Sequence, residues 1–235
     1  MQLLITDQTF DAIIFDHDGT LVDTESPDFQ ACKMLFDEFG VPLTLEGWAA
    51  KAAGVTDGYN DLFQDVIQNR NDGISQADLW RRLQELWKIT YEQVELMPGV
   101  NRLIPELEQT GYRLGVATAS NRQWADRWLA HFDLLPYFQV IATSDDVVHN
   151  KPAPDVYLYA ATQLGVPPER CLAFEDSMAG VQAAKAAGMT AIAVPSHVTK
   201  SLDFSQADGT VWGLDNVTIA WIKELDRVAR RENRR

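Results

Sequence analysis

Short apolar runs recur along this 235-residue chain, at Ala12–Phe15, Leu114–Ala117, Phe138–Ala142, Cys171–Phe174 and Thr190–Val194. Between them lie stretches with helical periodicity, among them Val100-Leu103-Ile104-Leu107, Trp124-Trp128-Leu129-Phe132 and Met178-Val181-Ala184. A strand that is apolar on both faces must be covered on both faces. Strands alternating with helices achieve this as a parallel sheet between two helical layers. The pattern therefore predicts an α/β fold with a Rossmann-like parallel sheet.

One interval breaks the alternation. From about Pro27 to Val94 only helical periodicity is found, in Phe29-Cys32-Leu35-Phe36, Leu62-Phe63-Val66-Ile67 and Leu79-Trp80-Leu83-Leu86-Trp87. That length far exceeds one crossover helix and predicts a helical cap subdomain inserted after the first strand. We expect a core of residues 1–24 and 95–235 and a cap of residues 25–94, with re-entry at the Met97-Pro98-Gly99 turn. Trp80 and Trp87 are expected to pack the cap interior. Pro105 falls within the helical pattern that begins near Val100 and should kink it.

In an open α/β sheet, ligands bind beyond the carboxyl ends of the strands, so the residues that follow each apolar run matter most. The first run is followed by Asp16-His17-Asp18-Gly19-Thr20, the second by Thr118-Ala119-Ser120-Asn121, the fourth by Glu175-Asp176-Ser177. Residues i and i+2 of an extended segment point the same way, so Asp16 and Asp18 repel unless a cation, a proton or a substrate separates them. Asp16, Asp18, Glu175 and Asp176 together form a costly negative site that calls for a hard cation, and Mg²⁺ suits oxygen ligands and substrate phosphate. Helix capping is compatible with metal binding at Glu175-Asp176-Ser177, and for Thr118–Asn121 taken alone it is the better account. Lys151, held in Asn150-Lys151-Pro152-Ala153-Pro154-Asp155, can balance charge and grip a phosphoryl group, and Asp155 can cap the helix that follows.

The net charge of −14 argues against nucleic acid or an anionic membrane as partner. No apolar run approaches the ~18 residues of a membrane span, and no basic-then-apolar leader opens the chain. The two cysteines, Cys32 and Cys171, lie in apolar surroundings and are expected as buried thiols. A cytoplasmic protein is expected, as a monomer or weak dimer. The basic stretch Arg227–Arg235 is expected as a solvated helix end.

These segments, in this order, resemble the haloacid-dehalogenase-like hydrolase superfamily in its phosphatase branch. The resemblance rests on Asp-x-Asp-Gly-Thr-Leu-Val-Asp (Asp16–Asp23), Thr118 at the end of the second strand, Lys-Pro-x-Pro-Asp (Lys151–Asp155) and Glu-Asp-Ser-x-x-Gly (Glu175–Gly180). It covers nearly the whole chain, the position of the cap included. It implies a Mg²⁺-dependent phosphatase acting on a small phosphomonoester of the sugar or polyol phosphate class. It further implies Asp16 as the nucleophile that forms an aspartyl-phosphate and Asp18 as general acid and base. Asp16, Asp18 through its carbonyl, Asp176 and Glu175 would hold the metal. Thr118 and Lys151 would hold the phosphoryl oxygens, with Ser120 and Asn121 nearby. The cap loop Gly54-Val55-Thr56-Asp57 is the candidate specificity loop, or a plain turn between cap helices.

The chain departs from the family at two positions. His17 replaces the usual apolar or aromatic residue, and its side chain is expected to point away from both aspartates. Asn150 replaces a common glycine and tolerates left-handed backbone. A phosphomutase resembling β-phosphoglucomutase would carry a histidine and an arginine where this chain has Asp28 and Asp57, and a carboxylate cannot grip phosphate. A non-catalytic binding module on the same fold is the remaining alternative, and the intact set of Asp16, Asp18, Thr118, Lys151 and Asp176 argues against it.

Overall fold

The computed structural model describes residues 10–52, 58–69 and 73–232, with side chains through Asp226. Strands β1 (Ala12–Phe15), β4 (Arg113–Ala117), β5 (Val140–Ala142), β6 (Cys171–Glu175), β7 (Thr190–Ala193) and β8 (Gly209–Thr210) form one parallel sheet in the order β5-β4-β1-β6-β7-β8. A two-stranded antiparallel ribbon pairs β2 (Val22–Asp23) with β3 (Glu95–Leu96). The first strand lies at the centre of the sheet. From it the chain builds outward through β4 and β5, then crosses back to begin β6 on its other side. The carboxyl ends of β1, β4 and β6 therefore border one crevice, where such a sheet binds ligands.

Alternation along β1 divides the core. Ile13 and Phe15 face the same side as Val116, Leu172 and Phe174, and pack against α5 (Val100–Thr110), α6 (Arg122–His131) and α9 (Ile219–Glu232). Ala12 and Ile14 face the other side with Ala117, Cys171 and Ala173, against α7 (Asp155–Leu164) and α8 (Met178–Ala186). That second interface is rich in alanine, so these two helices can approach the sheet closely. Phe15 and Phe174 stack across neighbouring strands with centroids 5.3 Å apart.

Residues 25–90 add α1 (Glu25–Glu38), α2 (Leu45–Ala52), α3 (Gly58–Gln68) and α4 (Gln76–Thr90), with no strand among their described residues. Their apolar faces bury Leu35, Phe36, Trp48, Phe63, Leu79 and Leu83 in a cluster separate from both sides of the sheet. The N-terminus of α1 is fixed by Asp23, which accepts from the Ser26 backbone and hydroxyl, and that of α4 by a reciprocal Ser75–Asp78 capping box. Both ends of the helical insertion leave the core through the β2–β3 ribbon, which the sequence pattern does not announce because each strand has only two residues.

One expectation is corrected here, that for Asp155. Helix α5 runs on through Pro105. The carbonyl that loses its donor belongs to Asn101, which is exposed and open to water. Asp155 does not cap α7: Pro154 occupies the cap position, and Asp155 instead receives the backbone N–H of His149. Both cysteines are buried, unbridged thiols, as expected. Among the described residues no helix is long and apolar enough to cross a membrane.

The Phe15–Phe174 stack holds the two central strands to one face of the core, so Phe174→Ala should cost about 3–5 kcal/mol. Urea unfolding of the variant checks this. A loss under about 1 kcal/mol would place the weight of that core elsewhere.

Candidate active site

Strand β1 ends at Phe15; the Asp16 N–H still bonds the Phe174 carbonyl of β6, and His17 and Asp18 lie beyond the ladder, leading into the turn at Gly19. Asp16 is nearly buried, and its Oδ1 accepts from Lys151 Nζ at 2.5 Å. The same ammonium donates to Glu175 Oε1, also at 2.5 Å. Glu175 ends β6 and is completely buried, receiving the Tyr157 hydroxyl at 2.6 Å and the Ser177 hydroxyl at 3.1 Å. Lys151 thus forms a wedge between two carboxylates from adjacent strands. Burial alone would lower its proton affinity, but Asp16 and Glu175 more than reverse this and keep it charged.

Asp176 follows on the same turn, and its Oδ2 is buried with no donor facing it. Oxygen atoms of Asp16, Glu175 and Asp176 lie within 4.8 Å of one another. Gly19 completes the cradle. A Cβ there would lie 2.1 Å from Asp176 Oδ2 and 2.9 Å from Glu25 Oε2, so only glycine lets the turn close over these acids. Gly180 has the same function behind Glu175, whose carboxylate would lie 1.9 Å from an added Cβ. An unpartnered buried oxygen within an all-oxygen set is the environment a hard divalent cation fits.

The electrostatics agree. Burial and then repulsion from Glu175 push Asp16 up to about 7, against the pull of Lys151. Burial pushes Glu25 up to about 8, and burial followed by repulsion from Glu25 holds Asp176 far above the ordinary carboxylate range. Without a cation these groups share protons.

Asp18 lies in the opposite environment. Burial pushes it up, but the His17 imidazole and hydrogen bonds from Trp124 and Thr24 hold it below the usual range. Its Oδ1 accepts from Thr24 Oγ1 at 2.7 Å and Trp124 Nε1 at 2.8 Å, and its Oδ2 from Ser120 Oγ at 2.7 Å. The expectation for His17 is corrected: the ring is fully buried, with Nδ1 3.1 Å from Asp18 Oδ1. Strict alternation placed it on the far side, but the strand has ended and the turn brings it alongside. The Asp18 carboxylate is not part of the acidic cluster, so of the four acids expected to hold a metal only three converge through their side chains.

Thr118 Oγ1 receives the Ser120 N–H at 3.0 Å and lies 3.5 Å from Asp18 Oδ2. Asn121 lines the cleft while its Oδ1 caps α6 by accepting from Trp124 N–H, and Ser177 caps α8, so capping and a place at the site coexist. Asn150 does not take up left-handed backbone, since Asp133 is the one non-glycine residue of positive φ among those described. Its side chain donates to the Ala119 carbonyl instead. Gly54, Val55, Thr56 and Asp57 lie outside the described residues.

A cleft of about 560 Å³ joins these groups to the cap, where Asp28, Trp48, Tyr59 and Trp87 line its far end. Trp87 therefore does more than pack the cap: its Nε1 donates to Asp28 Oδ1 at 2.7 Å, and the Tyr59 hydroxyl donates to Oδ2. Burial pushes Asp28 up to about 6, against those two hydrogen bonds. Glu25, Trp124 and Tyr157 escaped sequence reasoning. A glutamate in a first helical turn reads as a dipole partner, and Trp124 and Tyr157 read as apolar helix positions.

Folding raises the proton affinity of Asp16 to about 7 and of Glu25 to about 8, from ordinary values of 3.8 and 4.5. Between those limits the folded state binds more protons than the unfolded, so metal-free stability should fall as pH rises from about 4 to 8. A cation that binds the ionised forms offsets this. The rise in Tm produced by Mg²⁺ over chelator should therefore grow from pH 5 to pH 8, and an equal rise at both would remove these carboxylates as the cation's seat.

The sequence pattern of the haloacid dehalogenase-like hydrolases matches residues 13–194. The chain is 38% identical to protein CbbY of Rhodobacter capsulatus, over 91% of this chain and 98% of the relative. It is 31% identical to the fructose-1-phosphate phosphatase YqaB of Escherichia coli, over 80% of this chain and 97% of that one. CbbY from Rhodobacter sphaeroides, crystallised with xylulose 1,5-bisphosphate, superposes with a TM-score of 0.71 at 29% identity, covering 91% of this chain and 99% of the neighbour. With four sequence motifs gathered at one sheet edge and relatives that are phosphatases over most of its length, this chain belongs to the haloacid dehalogenase-like hydrolase family as a phosphatase.

Proposed function

We propose that the protein is a Mg²⁺-dependent phosphatase that hydrolyses a small phosphorylated carbohydrate through an aspartyl-phosphate at Asp16. The observation that carries this reading is the Lys151 wedge beside an unpartnered Asp176 oxygen: a cation and a vacant ligand flank one buried carboxylate. Asp16, Asp176 and the Asp18 carbonyl would hold the metal, with Glu175 behind them. When bound, the metal supplies charge neutralisation for the phosphoryl oxygens and keeps Asp16 ionised.

The protein's own groups divide the remaining work. An Asp16 carboxylate oxygen attacks phosphorus while Lys151 and Thr118 hold the phosphoryl oxygens, and the bond to the ester oxygen breaks. Asp18 gives its proton to that leaving oxygen, then takes one from the water that attacks the phosphoryl-enzyme. Phosphate departs and Asp16 is restored. The His17 imidazole and the hydrogen bonds from Trp124 and Thr24 keep Asp18 ionised before substrate arrives. A phosphate dianion brought beside it supplies the repulsion that raises its proton affinity. Ser120 and Trp124 orient Asp18 meanwhile, and we read residues 25–94 as the cap that closes over the leaving group. A reduced, cytoplasmic setting suits the two unbridged thiols.

The sugar class is supported by the fructose-1-phosphate phosphatase relative and by the sugar bisphosphate bound to the structural neighbour. The mutase reading is disfavoured by Asp28, which faces the cleft where that reaction needs a cation.

Inorganic phosphate release from sugar phosphates should require Mg²⁺ and stop with chelator. Asp16→Asn should lower kcat on the order of 10³-fold or more while leaving the circular dichroism spectrum unchanged. Substantial turnover by that variant would remove Asp16 as nucleophile.

A further inference from the structure

The cleft has a marked charge asymmetry. Lys151 is the one cation lining it among the described residues, and it is fully engaged at the phosphoryl end by Asp16 and Glu175. The stretch 53–57, Ala-Gly-Val-Thr-Asp, adds no lysine, arginine or histidine to the chain at that point. At the opposite end, Asp28 is a half-buried carboxylate whose described partners are all neutral donors: the Trp87 indole and the Cys32 thiol on Oδ1, and the Tyr59 hydroxyl on Oδ2. Its Oδ2, with one donor, keeps a lone pair for another.

Resting on the phosphatase reading above, we infer that Asp28 selects the leaving group: it accepts hydroxyls of an uncharged sugar or polyol chain and rejects a second phosphate. Three observations favour this over other occupants. A second phosphate would meet an anion with no cation beside it among the described residues, and like charges brought together out of water cost far more than a lost hydrogen bond. The carboxylate accepts hydrogen bonds only, so a chain of hydroxyls satisfies it without leaving a buried group unpaired. A quaternary ammonium group, which has no N–H to donate, would need open aromatic faces. Here the Trp87 face is stacked on Tyr91 with centroids 6.0 Å apart, and Tyr59 packs against Trp80 at 5.1 Å. The polar atoms of Trp87 and Tyr59 are turned to Asp28. The bisphosphate found on the structural neighbour would accordingly be a poor substrate for this chain.

The test measures kcat/KM at pH 7.5 with Mg²⁺ for fructose 1-phosphate and fructose 1,6-bisphosphate, with p-nitrophenyl phosphate and O-phosphoethanolamine alongside. The wild type should prefer the monophosphate by about 100-fold. Asp28→Asn should narrow that ratio at least about tenfold through improved bisphosphate turnover, since the charge is removed and the shape kept. The ratio is taken within each enzyme, so partial misfolding of a variant cancels. Tyr59→Phe, which removes one donor to Asp28, should weaken the monophosphate by a few-fold, about the value of one hydrogen bond.

Equal wild-type rates on the two fructose esters, or a ratio unmoved by Asp28→Asn, would overturn the role of Asp28. Hydrolysis of p-nitrophenyl phosphate in that same experiment would leave the phosphatase reading standing. Preference for O-phosphoethanolamine over the sugar ester would likewise overturn it in favour of an ammonium receptor. Failure to hydrolyse any of the four esters would overturn both.

Discussion

The organisation of this active site follows from the pairing of one buried lysine with two carboxylates. Lys151 bonds Asp16 and Glu175 at equal distance, and each partner comes from a different strand of the sheet centre. Losing one member of such a triad leaves an uncompensated buried charge, a cost of about 3–5 kcal/mol. The surroundings are arranged to prevent that. Pro152 and Pro154 follow the lysine, Tyr157 reaches across from α7 to the same glutamate, and the absent side chain of Gly180 leaves room for it. With Glu25, Asp176 and Asp18 nearby, the single cation cannot neutralise the whole cluster. The residual charge makes the site hold protons when metal-free and receptive to a divalent ion.

Two aspartates separated by one residue are pushed in opposite directions. Asp16, with burial and Glu175 against it, is raised, while Asp18, facing His17 and ringed by three side-chain donors, is lowered. Identical side chains thus acquire different chemistry from their neighbours alone. The turn after β1 makes this possible by releasing Asp18 from the strand's alternation and swinging it toward α6.

The sequence was informative where chemistry and periodicity coincide. The five apolar runs all became strands of the main sheet, because a strand covered on both faces must be apolar throughout. Asp16, Glu175, Asp176 and Lys151 converge as their positions after those runs implied. What escaped has a physical reason in each case. Trp124 and Tyr157 present apolar bodies to a helix pattern, and their polar tips become visible only in three dimensions. Glu25 is distant in sequence from Asp176, the acid it faces most directly. Two-residue strands such as β2 and β3 carry no period, and His17 was misjudged because alternation was extended past the end of the strand.

The β2–β3 ribbon bears on the history of the chain as well as its shape. Val22 pairs with Leu96 and Asp23 with Glu95, so the points where the chain leaves the sheet and returns to it lie side by side. The helices between them bury an apolar cluster of their own, joined from the core by Val198. A helical insertion of another size or composition could be exchanged at that junction without disturbing a single strand register. The phosphoryl chemistry and the recognition of what carries the phosphate can therefore diverge at different rates, which makes the ribbon a natural seam for recombination or for grafting a new cap.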